Sequence, residues 1–234
     1  MIDIHSHVLP NIDDGSRSIE MSLEMLKESC RQGITDVVAT PHFYIKSNTL
    51  EQFLEKRDEA YKRLMDTVKN EKDIPNIYLG AEVFYFNGIS KFESIEKLCI
   101  NNTKYLLLEM PFAKWNNRVF QEVEDLIYNR RLVPVIAHIE RFVKFQKGTD
   151  NIERLISMRV IPQMNGENFL SFFTKGRALK WIADGVVKLL GSDMHNTEAR
   201  PQNLGNACKV IENKLGKGVL DNIEKLSKEI IGIE

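Results

Sequence analysis

Cysteine is scarce in this 234-residue chain, and the three present, Cys30, Cys99 and Cys208, stand far apart with no CxxC pair. A disulfide framework and a thiolate zinc site are therefore both unsupported, and a reducing cytoplasm is the expected compartment. A cysteine phosphatase loop needs arginine six positions after its nucleophile, where this sequence has Asp36, Tyr105 and Lys214. Glycine-rich phosphate loops are also missing, because no GxGxxG follows the first apolar run and Gly216-Lys217-Gly218 lacks the earlier glycine of GxxxxGK. The GxSxG nucleophile elbow is absent as well. Charge of one sign is not in excess: 32 Lys plus Arg face 33 Asp plus Glu, a net of −1, so nothing suggests a nucleic-acid partner. No apolar stretch approaches 18 residues and the MIDIHSHVLP start has no basic leader, so neither a membrane span nor a signal peptide is expected.

What is present is a soluble-protein composition, 43% hydrophobic and 28% charged, with length for one or two domains. Apolar runs recur at Met1–Ile4, Ile34–Ala39, Ile77–Ala81, Tyr105–Leu108, Leu132–Ala137, Val160–Gln163 and Val186–Leu190. Continuous β-branched runs such as ITDVVA and VVKLL read as strands buried on both faces, and their roughly 25- to 45-residue spacing suits βα units. Between them lie amphipathic helical stripes, for example Ile19, Leu23, Leu26 and Cys30, and a closing one from Val219 through Ile230. Gly33 reads as a helix C-terminal residue, and Asp150 with Glu153 as a capping box. No linker, repeat or composition shift divides the chain, so one domain over 1–234 is expected.

The polar residues after these runs choose between an open sheet and a ring. His5 and His7 follow the first, His42 the second, Glu82 the third, Glu109 the fourth, His138 the fifth, and Asp193 with His195 the seventh. An open sheet concentrates its chemistry at one switch point, whereas a barrel gathers it from many carboxyl ends, so an α/β barrel of seven units is predicted. Taken singly, each histidine is compatible with a packing role. Carboxylates beside apolar strands are costly unless paired or metal-bound, and together the set reads as a metal site.

Imidazole and carboxylate without thiolate suit Mn, Fe or Zn, and so many donors imply two or three ions. Asp14, in the NIDDGS loop, is a further candidate ligand, although Asp13-Asp14-Gly15 also makes an ordinary turn. Such a site can activate water and neutralise charge in phosphoester hydrolysis. Arg141 and Arg200 are the natural partners for phosphate oxygens, because guanidinium offers a planar two-pronged donor. Phe43, Tyr44, Phe84 and Phe112 follow the same strand ends and are candidates to line an aromatic mouth.

The strings DIHSHVLPNIDDGS, TPHF, GAEV, LLLEMPF, AHIERF and GSDMHN resemble, across nearly the whole chain, the PHP (polymerase and histidinol phosphatase) superfamily. Within it they are most similar to the bacterial manganese-dependent protein-tyrosine phosphatases of capsular and extracellular polysaccharide synthesis. The resemblance implies a distorted (β/α)7 barrel with a trinuclear, often manganese, centre at the C-terminal ends of the strands. It implies His5, His7, Glu109 and Asp193 around one ion, His42, Glu109 and His138 at a second, and Asp14, Glu82 and His195 at the third. Arg141 and Arg200 match the family's phosphate-binding arginines. A cytoplasmic enzyme acting on the tyrosine-rich tail of a cognate membrane-associated tyrosine kinase follows by the same resemblance, with oligomerisation left open. Tyr44-Ile45-Lys46-Ser47-Asn48 after TPHF, and Ile139 where proline is usual, depart from the pattern near the substrate mouth. Histidinol phosphate or another small phosphomonoester is the alternative substrate, and a non-catalytic phosphopeptide-binding barrel the alternative class.

Overall fold

The computed structural model describes residues 1–69 and 71–233. Strands and helices alternate as β1 (Ile2–Ser6), α1 (Ile19–Arg31), β2 (Asp36–Ala39), β3 (His42–Phe43), α2 (Leu50–Val68), β4 (Asn76–Leu79), β5 (Glu82–Phe84) and β6 (Tyr105–Glu109). They continue as α3 (Asn117–Tyr128), β7 (Val133–Ile136), α4 (Asn151–Ser157), β8 (Ile161–Asn165), α5 (Glu167–Leu170), α6 (Lys175–Ala183), β9 (Leu189–Gly191), α7 (Leu204–Leu215) and α8 (Lys217–Ile231). All seven predicted runs are strands, but the second and third each break in two. The interruptions fall at Thr40-Pro41 and Gly80-Ala81, where proline lacks an N–H and glycine weakens an extended chain. Pairing nonetheless carries across them, since Gly80 N–H donates to Ala39 and Glu82 N–H to Pro41.

Every strand pair is parallel, in the orders β1-β2-β4 and β3-β5-β6-β7-β8-β9. Because β3 continues β2 and β5 continues β4, these make seven rows in chain order. The first and last rows meet along a thin seam, where Asp193 N–H donates to the His5 carbonyl and His7 N–H to the Met194 carbonyl. The result is a curled parallel sheet of the distorted seven-stranded barrel type.

Strand alternation sorts the side chains into two cores. Outward residues such as Val37, Leu106, Leu108, Ile136 and Leu190 pack with the helices. Inward residues Ile2, Ile4, Val38, Leu107, Val135 and Leu189 fill the interior, which Ile230 and Ile231 of α8 join. The same parity then delivers polar groups to the upper end: Leu107 is followed two residues on by Glu109, and Ile161 by Gln163 and Asn165. Gly33 lies at φ 80° just beyond α1, as its sequence position suggests. The Asp150 capping box does not form. Asp150 sits near helical geometry at φ −94° and ψ 17°, so its side chain makes no cap, and an extended backbone is what capping needs.

Candidate metal centre

The upper end of the barrel collects all nine predicted donors. His5 and His7 come from the end of β1, Asp14 from the loop between β1 and α1, His42 from β3, Glu82 from β5, Glu109 from β6, and His138, Asp193 and His195 from the turns after β7 and β9. Two of these turns use left-handed backbone, φ 30° at His138 and φ 54° at Asp193. Such conformations cost free energy in non-glycine residues and persist where surrounding structure fixes them.

The deepest group is His5, His7, Glu82 and Asp193, all buried. Nε2 of His5 lies 3.3 Å from Glu82 Oε2, 3.5 Å from Asp193 Oδ1 and 3.3 Å from His7 Nε2. His7 Nε2 is 3.4 Å from each of the same carboxylate oxygens. Edges of about 3.4 Å are those of a tetrahedron of nitrogen and oxygen donors with transition-metal bonds of about 2.1 Å. A second group, His42, Glu82 and Glu109, shares Glu82, and a third, His7, Asp14, His42 and His195, faces outward. His138 Nε2 joins the second, 2.8 Å from Glu82 and 3.3 Å from Glu109. Glu82 lies at the centre of the donor cluster, within 3.4 Å of ring nitrogens of His5, His7, His42 and His138.

Metal occupancy fits this donor set on a further observation. His42 Nδ1 and Glu82 Oε2 are 2.9 Å apart, yet both are buried without a hydrogen bond, as is His195 Nε2. Buried polar atoms are rarely left so, and donors aimed at a common ion account for them.

The cluster has a consistent electrostatic pattern without metal. Burial disfavours the His42 charge, but Asp14 and Glu82 outweigh it and raise its pKa to about 9. The same opposition, resolved by Glu109 and Glu82, raises His138 to about 9. Burial would raise Glu82 and Asp193, but neighbouring histidines, His5 foremost, hold both carboxyls well below the usual range. His195 moves the other way, down to about 4, through burial and then the charge of His7.

Several supporting residues were not assigned to the site from sequence. Asp13 Oδ2 lies 2.7 Å from His7 Nδ1 and accepts from His42 N–H at 3.0 Å, so it fixes the ring whose other nitrogen faces the centre. Gln163 Oε1 accepts from His138 N–H at 2.8 Å and is 3.3 Å from His5 Nδ1. Asn165 donates to Asp193 Oδ2 at 2.9 Å. Beneath them the buried Asp3 carboxylate accepts from Ser192 Oγ at 2.6 Å and from Gln202 at 2.9 Å, tying down the turn that carries Asp193. The signal was available for Gln163 and Asn165, which follow Ile161 at two-residue spacing on the inward side of β8.

On the open side, Arg141 and Arg200 both donate to Asp193 Oδ2, at 2.6 and 2.8 Å, with part of each guanidinium exposed. Asp14 stands beside them, its side chain 65% exposed. Aromatic rings lead away from the cluster: Tyr44 is 5.1 Å from the His42 ring and 5.7 Å from Phe84, and Phe112 is 6.3 Å from the His138 ring and 6.4 Å from Phe84. Phe43 is not among them. It is fully buried against Phe53 and Phe92, because its neighbour His42 occupies the opposite face of β3.

A parallel barrel carrying a buried imidazole and carboxylate cluster at its strand ends defines a metal-binding protein of the PHP type. The chain belongs to the CpsB/CapC family of capsular polysaccharide synthesis, whose family profile matches residues 1–230. It is 31% identical over 227 residues to the tyrosine-protein phosphatase CpsB of Streptococcus pneumoniae, spanning 92% of this chain and 91% of that protein. To the tyrosine-protein phosphatase YwqE of Bacillus subtilis it is 30% identical over 226 residues, or 92% and 85% of the two chains. The fold superimposes with a TM-score of 0.88, at 26% identity and covering 99% and 94%, on a structure from work describing YwqE and CpsB as unique metal-dependent tyrosine phosphatases. The phosphotriesterase homology protein of Escherichia coli shares the fold alone, with a TM-score of 0.57 at 9% identity.

Proposed function

We infer that the chain, acting as one unit over 1–234, is a metal-dependent protein-tyrosine phosphatase. The observation that carries this reading is the buried donor cluster opening onto two arginines and an aromatic ladder. Manganese, in two or three ions, is the proposed occupant: the donors are nitrogen and oxygen only, and a set this large exceeds one tetrahedral ion. His5, His7, Asp14, His42, Glu82, Glu109, His138, Asp193 and His195 would hold these ions. When bound, they supply a lowered pKa for water and positive charge against the phosphate oxygens.

The chain's own residues orient the reaction. Arg141 and Arg200, anchored on one oxygen of Asp193, present their remaining N–H groups to the non-bridging phosphate oxygens. The aryl ring of the substrate lies along Tyr44, Phe84 and Phe112, while Asp13 and Gln163 keep His7 and His5 in register. His195, neutral near pH 7 in the metal-free protein, suits a ligand and is not an imidazolium that could protonate the leaving phenolate. The relatives named above are tyrosine phosphatases, and the family's part in capsular polysaccharide synthesis supports a cognate tyrosine kinase as partner and the cytoplasm as location. Among the described residues no helix is long and apolar enough to cross a membrane.

Substrate competition tests the assignment. With Mn²⁺ present, a phosphotyrosyl peptide should be hydrolysed with a higher kcat/KM than histidinol phosphate. Equal or reversed efficiency would reassign the site to small phosphomonoesters, and tight phosphopeptide binding without phosphate release would make it a binding barrel.

A further inference from the structure

Beside the metal centre lies a groove of about 590 Å³ between the loop after β3 and the loop after β6. Tyr44, Phe84, Phe86 and Pro111 form its apolar walls, and Lys46 and Lys114 its charged ones. No carboxylate lines it. Both lysines are exposed, and neither takes part in an ion pair or hydrogen bond among the described residues. Tyr44 and Phe84 belong at once to this groove and to the ring series that reaches His42, so groove and metal centre are continuous.

We propose that this groove binds the peptide segment flanking the phosphorylated residue, selecting a segment that carries aromatic and acidic side chains. Aromatic walls reward a ring laid edge or face against them. Two free cations with no competing carboxylate reward negative charge, and oppose positive charge, at the same place. A phosphate ester without a peptide reaches the groove only at Tyr44 and Phe84 and leaves its lysine side unfilled. Small aryl phosphates therefore report the metal centre, and peptides report both. The proposal rests on the phosphotyrosine reading above and gives it a specificity device.

The test uses the Mn²⁺-loaded full chain with p-nitrophenyl phosphate and two phosphotyrosyl peptides, one flanked by Asp and Tyr, the other by Lys and Ala. The wild-type protein should prefer the acidic aromatic peptide through a lower KM. In a Lys46→Glu/Lys114→Glu double variant the ratio of kcat/KM between the two peptides should fall by about tenfold or more and move toward the basic one. A general loss of structure would lower both rates together and would not exchange the preference. An unchanged ratio in a folded, active variant overturns the groove assignment and leaves the phosphatase reading standing. Absence of turnover on p-nitrophenyl phosphate by the wild-type protein overturns the phosphatase reading instead.

Discussion

Single side chains decide whether the cluster binds metal or protons. His42 and His138 have pKa values of about 9 in the metal-free protein, above the unfolded value near 6.5. Their contribution to metal-free stability is therefore complete below about pH 6.5 and is lost as pH rises through about 9. Ligation needs both rings unprotonated, so loading near pH 7 should release about two protons from them, and progressively fewer as pH passes 9. Calorimetry of Mn²⁺ binding in buffers of differing ionisation enthalpy counts those protons; a pH-independent count would contradict the assignment. Asp13→Ala removes the 2.7 Å partner of His7 Nδ1 and should weaken metal affinity by about 10- to 100-fold, read by metal titration. Arg200→Ala should keep its metal content but lose about tenfold to a hundredfold in kcat/KM on a phosphotyrosyl peptide, since a charge-assisted donor is lost. Retained turnover would remove Arg200 from substrate binding.

At the scale of elements, the site depends on strand ends approaching closely. Gly191 ends β9 on the inward face, and a Cβ there would lie 2.7 Å from His5 Cβ and 2.9 Å from Gln163 Nε2. Gly191→Ala should therefore push β9 from β1 along the thin seam, at about 1–3 kcal/mol. A drop in Tm of several degrees, together with weaker metal binding, is the expected outcome by scanning calorimetry. An unshifted Tm would mean that the seam yields without strain. The strands were legible because buried parallel strands read as continuous apolar runs, and their polar ends stood out against them. The breaks in the second and third rows were not legible, since pairing across Pro41 and Ala81 depends on neighbours that periodicity does not encode. Asp150 failed for a related reason: capping depends on backbone angle as well as residue type. Phe43 was placed at the mouth by position alone, and strand parity reverses that placement. The same parity reveals Gln163 and Asn165, polar residues at inward positions of β8.

The whole molecule joins two requirements that composition alone kept hidden. Its charges balance to −1 overall, yet the barrel's upper end gathers five histidines and four carboxylates, Glu82 shared among them, with two arginines at the opening. Folding brings these together from residues 5 to 200, so metal binds only the folded chain and stabilises it. Acid should destabilise the loaded protein as protons displace metal, while alkali weakens the metal-free one. The most direct test of the central claim is phosphate release from a phosphotyrosyl peptide by protein stripped of metal, with the loss verified by elemental analysis, and then titrated with Mn²⁺. Turnover should vanish on stripping and return with two or three equivalents of Mn²⁺ per chain, in keeping with the donor count. Full turnover by the verified metal-free protein would contradict it.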